Sequence, residues 1–297
     1  MKVRVGVGFG PTVFASRDEF ATTIGTLDES GLDSLWLSEV LTAPVIDPIV
    51  GMAVATGMAP RLKVGTTFVL PGRNLVRTAK ELATLDRLSN GRLLITAVAG
   101  LRQPGELAAL GVTARERGMA LDEAVPLLRR LWAGERVTHR GEIYDLQDVA
   151  VEPRPVQDPL EVWVGGMVPA ALRRTALVAD GWLPALCTTA EADAGRRVID
   201  QISQEAGRAI DPEHFGVSIG YSDAAIDADQ LAGLARRRPD LEDPAVLVPV
   251  GLDALRRQIS EFVDVGFSKF VVRPMVTPPD WPAEIRRLAD ALGDLQT

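Results

Sequence analysis

Val162-Trp163-Val164 is a short apolar run that breaks on Gly165-Gly166, and a helix-like pattern opens directly afterwards. Glycine lets the backbone approach a ligand closely, and the free N–H groups of a following helix N-terminus attract an anion. The combination suits a phosphate-bearing cofactor, although Gly-Gly at a strand end also makes ordinary turns. Other chemistry-bearing residues give weaker patterns. Gly6, Gly8 and Gly10 approach a dinucleotide fingerprint, but its third glycine would fall on Pro11. His139 and His214 are far apart and cluster with no cysteine, so no metal site is expected. Cys187, the single cysteine, has no histidine placed beside it and reads as an inert buried thiol rather than a nucleophile. Neither a Gly-x-Ser-x-Gly elbow nor a Gly-x-x-x-x-Gly-Lys loop is present.

The elements that must position the glycine step alternate along the chain. Apolar strand patterns at 3–9, 35–37, 62–70, 93–98, 162–164, 182, 215–221 and 269–273 are each followed by a helical pattern. Phe20, Ile24 and Leu27 mark the first helix, ended by Gly31, and Asp47-Pro48 offers a cap and first turn to the second. The region 105–132 reads as helix interrupted near Gly111. Residues 135–150 read as a hairpin excursion with Gly141 near its tip, and 222–250 as an irregular insertion with a short helix. Strand–helix repetition with near-continuously apolar strands predicts an α/β fold, one (β/α)8 barrel over 1–297, with a doubly wound sheet as the alternative.

Composition narrows the partners. With 297 residues, 46% hydrophobic and a net charge of −8, the chain can bury a large core. No basic run points to nucleic acid, and no apolar run is long enough to cross a membrane. One cysteine and an N-terminus that reads as a strand make the cytoplasm the expected compartment. Lysine occurs only at Lys2, Lys63, Lys80 and Lys269 against many arginines, a skew typical of GC-rich coding.

In a parallel barrel the chemistry gathers at the C-terminal strand ends. Here these are Phe9-Gly10, Ser38-Glu39-Val40, Thr67-Phe68-Val69, Ala99-Gly100, Gly165-Gly166, Cys187, Tyr221 and Arg273. Most are small or apolar and Glu39 is the main acid, so the mouth suits a flat ring better than a hydrolytic centre. Glu39 as a plain helix cap is the competing reading.

Ser34-Leu35-Trp36-Leu37-Ser38-Glu39, Ala83-Thr84-Leu85-Asp86-Arg87-Leu88-Ser89-Asn90-Gly91-Arg92, Gly141-Glu142-Ile143-Tyr144 with Glu152-Pro153-Arg154-Pro155, and Val162 to Gly166 through Ala179-Asp180-Gly181-Trp182 follow one another in order. With Lys269-Phe270-Val271-Val272-Arg273-Pro274, they make the chain resemble the bacterial luciferase-like monooxygenase superfamily, in its branch that uses the deazaflavin F420. The resemblance implies a cofactor site at Glu39, Thr67, Phe68, Ala99, Gly100, Gly165, Gly166, Met167, Val168 and Pro169. Glu39 would contact the ring edge, and a non-proline cis peptide at Thr67-Phe68 would back the ring. Ala99-Gly100 and Gly165-Gly166 would cradle the phosphate and side chain, while Arg173 and Arg174 could meet the acidic tail.

Sugar-phosphate-oxidising relatives place a histidine after the strand-two acid and a glutamate after the Ala99-Gly100 equivalent; this chain has Val40 and Leu101. Without that acid–base pair, alcohol oxidation is disfavoured and no catalytic residue is assigned. The expectation is an F420-dependent oxidoreductase that moves a hydride to or from a small organic substrate. Phe9, Phe68, Leu70, Leu101 and Trp182 make that substrate lipophilic. An FMN-dependent monooxygenase fed by a reductase partner, or a silent cofactor-binding barrel, stays open. Relatives often form dimers, so a homodimer is the expected assembly.

Overall fold

The computed structural model describes residues 1–10, 12, 14–101 and 103–297; Pro11, which breaks the glycine fingerprint, lies outside the described residues. Eight parallel strands form the sheet: β1 (Arg4–Gly8), β2 (Ser34–Ser38), β3 (Lys63–Val69), β4 (Leu93–Val98), β7 (Val162–Val164), β8 (Gly181–Trp182), β9 (Gly216–Tyr221) and β10 (Lys269–Pro274). Their order is β8-β7-β4-β3-β2-β1-β10-β9. The ends meet through parallel bridges Trp182↔Phe215 and Ala185↔Ser218, with the Ser218 N–H donating to the Pro184 carbonyl at 2.9 Å. The sheet therefore curls into a (β/α)8 barrel, not an open doubly wound sheet. Among the described residues no helix is long and apolar enough to cross a membrane.

The outer helices are α1 (Arg17–Glu29), α2 (Pro48–Met58), α3 (Leu75–Leu88), α4 (Pro104–Leu110), α5 (Glu116–Trp132), α6 (Pro169–Val178), α7 (Thr189–Glu205), α8 (Ala228–Arg237), α9 (Leu252–Asp264) and α10 (Trp281–Leu292). Local chemistry explains several boundaries. Asp47 accepts from the Val50 N–H at 3.0 Å ahead of Pro48 in the first turn of α2. Gly111 takes the left-handed conformation, φ 65°, and separates α4 from α5. The excursion is an antiparallel hairpin of β5 (Val137–Arg140) and β6 (Asp145–Val149). Its turn is held by Glu123 of α5, which accepts from the N–H groups of Glu142, Ile143 and Tyr144. Burial pushes the Glu123 carboxyl up, but these bonds and His139 outweigh it and leave the pKa below the usual range.

Strand alternation gives the apolar side chains two separate destinations. Outward residues such as Val64, Phe68 and Val162 join the helices in the main core. Trp36, Leu183 and Val271 form a second cluster, with Leu94 and Trp163 against it, inside the barrel. Glycines make room for these rings, since a Cβ on Gly65 would lie 2.6 Å from the Trp36 indole.

The run into β7 is fastened by a residue that the sequence reading passed over. Asp86 of α3 is fully buried and accepts from the Val156 N–H (2.7 Å), the Gln157 N–H (2.9 Å) and the Gln157 side-chain amide (2.6 Å). This ties the proline-rich entry to the helix layer and so sets where Gly165-Gly166 emerges. Asp86→Ala leaves these donors unpaired and is expected to cost about 3 kcal/mol. The check is a urea unfolding midpoint that falls with an unchanged slope.

The non-proline cis peptide expected at Thr67-Phe68 does not form. The peptide between Thr67 and Phe68 is trans; among the described residues the cis bonds are Glu152-Pro153 and Asp158-Pro159. The β3–β4 ladder runs in unbroken register, Thr67↔Thr96, Phe68↔Ala97 and Val69↔Val98. Regular pairing on both sides of the bond leaves no bulge.

Candidate active site at the barrel mouth

Parity decides which side chains reach the mouth. Thr67 is level with Ser38 and Thr96 and faces inward. Phe68, one residue on, faces the helices, is fully buried, and has the Arg73 guanidinium 4.1 Å from its ring centroid. The other aromatics expected to form a lipophilic mouth behave alike. Phe9, Leu70 and Trp182 are buried, with Phe9 packed on Phe14 and Trp281. Leu101, the last of that set, stands half-buried at the rim, as does Val40.

Ala99-Gly100 and Gly165-Gly166 follow the ends of the adjacent strands β4 and β7, and Thr67 lies within the neighbouring β3, two residues before its end. The Gly165 N–H donates to the Ala97 carbonyl at 3.1 Å, and Gly165 lies against Val98. Gly100 has a φ of 76° beside Val69 and Leu110, and its carbonyl accepts from Arg117 at 2.8 Å. Gly166 has a φ of 106°, a conformation that suits glycine. Its carbonyl accepts from the Trp182 indole N–H at 3.0 Å. Met167, Val168 and Pro169 lead into α6, whose first turn has no side-chain cap, and Val168 and Pro169 are exposed. An accessible backbone beside an uncapped helix start is a place for an anion.

Glu39 ends the neighbouring strand β2, yet both its oxygens are engaged. One accepts from the Val69 N–H at 2.7 Å and the other pairs with Arg73, which also donates to the Val69 carbonyl. Burial pushes the Glu39 carboxyl above its ordinary range, with Arg73 acting against it. Its geometry is that of a clamp on the end of β3. Arg174, considered for an acidic tail, is buried and bound to Asp122 at 2.6 Å, so it joins α6 to α5; Arg173 is exposed. Burial raises the Cys187 thiol to about 12, which keeps it protonated at neutral pH. His139 and His214 lie away from the mouth, beside Glu123 and Glu161.

The opposite wall holds the feature to which the sequence reading gave no role. Arg273 ends β10, its Cβ 3.3 Å from where a Cβ on Gly8 would sit. The inward positions around it, Ser38, Thr67, Gly165, Ala185, Ser218 and Gly220, are small and uncharged. Its Nε is buried without a hydrogen-bond partner, and no carboxylate among the described residues pairs with it. Burial, with the nearby Arg237 charge, lowers its pKa to about 10. The residue as a whole is half-buried. It stays cationic at neutrality and has no anionic partner among the described residues.

A family model described as luciferase-like monooxygenase matches residues 4–245. The chain belongs to this family. It is 33% identical over 175 residues to a protein of Kineococcus radiotolerans named F420-dependent glucose-6-phosphate dehydrogenase; the match covers 54% of this chain and 50% of that one. The chain thus spans about half the length of this curated relative. Among solved structures, an F420-dependent secondary alcohol dehydrogenase in complex with an F420-acetone adduct superposes over the whole of both chains with a TM-score of 0.81 at 17% identity. The oxygenating constituent of 3,6-diketocamphane monooxygenase from Pseudomonas putida, in complex with FMN, gives 0.78 at 17% identity over 100% of this luciferase-like chain and 99% of the other. At such identities the superpositions establish the shared barrel.

Proposed function

We propose that the mouth binds the deazaflavin F420 and that the chain is an oxidoreductase transferring a hydride between this cofactor and a small organic substrate. The carrying observation is the mouth itself: a small-residue interior, glycine steps after β4 and β7 beside Thr67 of β3, and, among the described residues, one unpaired guanidinium across from them. A half-buried cation with an unpartnered Nε and a cradle without side chains fit an anionic, flat-ringed ligand. F420 supplies a hydride-carrying C5 in its ring. Gly165, Gly166 and the start of α6 would hold the phosphate side chain, with Met167, Val168 and Pro169 beside it. Thr67 and Ala99-Gly100 would lie along the ring, while Glu39 and Phe68 would hold the end of β3 from behind.

Arg273, across the mouth from that cradle, would receive an acidic group of the substrate, whose apolar body meets Val40 and Leu101. This narrows the lipophilic expectation to an apolar body with an acidic end. Among the described residues no other inward strand side chain at this level is titratable, so the protein's part is orientation and exclusion of water. The curated relative named as F420-dependent supports deazaflavin over FMN. The FMN-bound neighbour favours a second reading, an FMN monooxygenase served by a reductase. Titration with F420 is expected to quench cofactor fluorescence saturably, and more tightly than FMN binds. Tighter FMN binding selects the second reading; binding of neither sinks both.

A further inference from the structure

The N-terminal end of the barrel holds a void. TIM-type interiors are normally filled by layers of branched side chains. Here inward Gly6, Gly65 and Gly181 leave room for Trp36 and Trp163 to lie against the wall. A hollow of about 200 Å³ remains, lined by the two indoles and by Leu94, Leu183 and Val271. That exceeds the roughly 150 Å³ in which an engineered apolar cavity holds benzene.

The rim of this hollow is cationic on one side. Asp33 is shared by Lys63 at 3.0 Å and Arg4 at 3.5 Å. Lys269 has no carboxylate within ion-pair distance among the described residues; its ammonium donates to the Lys2 carbonyl at 3.0 Å. Burial lowers its pKa, with the Glu213 charge opposing. The other side carries Glu161 and His214, 3.6 Å apart, with the Trp163 N–H donating to Glu161 at 3.3 Å. Two flat indole walls beneath an ammonium without an anion describe a complement to an aromatic acid.

We propose that the N-terminal end of the barrel is a second ligand site, distinct from the mouth, which takes a flat aromatic carboxylate between Trp36 and Trp163 with its acid at Lys269. The site calls on no cofactor and stands whether or not the mouth binds F420.

Calorimetric titration of the full chain with 2-naphthoate tests this. Saturable binding is expected, with neutral 2-naphthamide at least about tenfold weaker, the scale of one charged hydrogen bond. Lys269→Met should weaken 2-naphthoate to the same degree. Val271→Phe, which fills the hollow, should abolish binding, and Arg273→Met in the mouth should leave it unchanged. Equal affinity for acid and amide, binding retained by Val271→Phe, or loss confined to Arg273→Met would each overturn the proposal. So would no saturable binding by the unaltered chain. Because the acid–amide comparison uses the unaltered protein, a variant that fails to fold leaves the proposal open to refutation.

Discussion

Replacing Arg273 by methionine is expected to stabilise the protein while it weakens anion binding. The guanidinium is surrounded by protein, has an unpartnered Nε, and is repelled by Arg237. An unpaired, partly buried cation is a cost to folding, and its lowered pKa points the same way. The sign follows from the direction of the shift: the folded state disfavours the charged form, so the penalty is present at neutral pH and fades only as pH rises through about 10. Methionine keeps most of the length without the charge, and a gain of about 1–3 kcal/mol in unfolding free energy is expected. Inorganic phosphate, titrated at constant ionic strength, should bind the variant roughly tenfold or more weakly than the parent. The two readouts move in opposite directions only if the charge is held for a ligand. A destabilised variant would make Arg273 a structural residue and remove the support for an acidic substrate.

Gly166→Val is expected to abolish saturable F420 binding. With φ at 106° the position lies where a β-branched residue is strained, and its Cβ would press on the Ala171 Cβ at 3.2 Å. The loop to α6 must shift, at a stability cost of about 1–3 kcal/mol. The new side chain also occupies the space in which a phosphate would approach the backbone. Gly25→Val serves as the control: it sits in α1, where a Cβ meets nothing within 4 Å, and should leave F420 affinity at the parent value. Unchanged F420 affinity in a folded Gly166→Val protein would move the phosphate cradle elsewhere.

Sequence and structure agree most closely where the governing interactions are local. The Asp47-Pro48 start of α2, the break at Gly111 and the hairpin around Gly141 all follow from residues within a few positions of one another. They diverge where parity or distance matters. Thr67 and Phe68 read as one site pair, but adjacent strand residues face opposite sides, so one reaches the mouth and the other the helix layer. Arg174 reads like Arg173 in the sequence, yet Asp122, on another helix, makes it a buried ion pair. Asp86 and Arg73 drew no attention as functional groups, because nothing local says that Val156, Gln157 or Glu39 will lie beside them.

The sequence alone therefore determined the strand–helix alternation, the expectation of a (β/α)8 barrel over a doubly wound sheet, and the glycine step that follows β7, while the bridges between β8 and β9 closed the barrel. Backbone propensity and apolar periodicity act over a few residues and are written directly in the chain. Only the tertiary structure decided which charges are paired. Glu39, the acid most visible in the sequence, is consumed by Val69 and Arg73, whereas Arg273 and Lys269, at opposite ends of the barrel, have no carboxylate within ion-pair distance among the described residues. Partnership depends on groups brought together across the whole chain, and closure of the barrel alone establishes it.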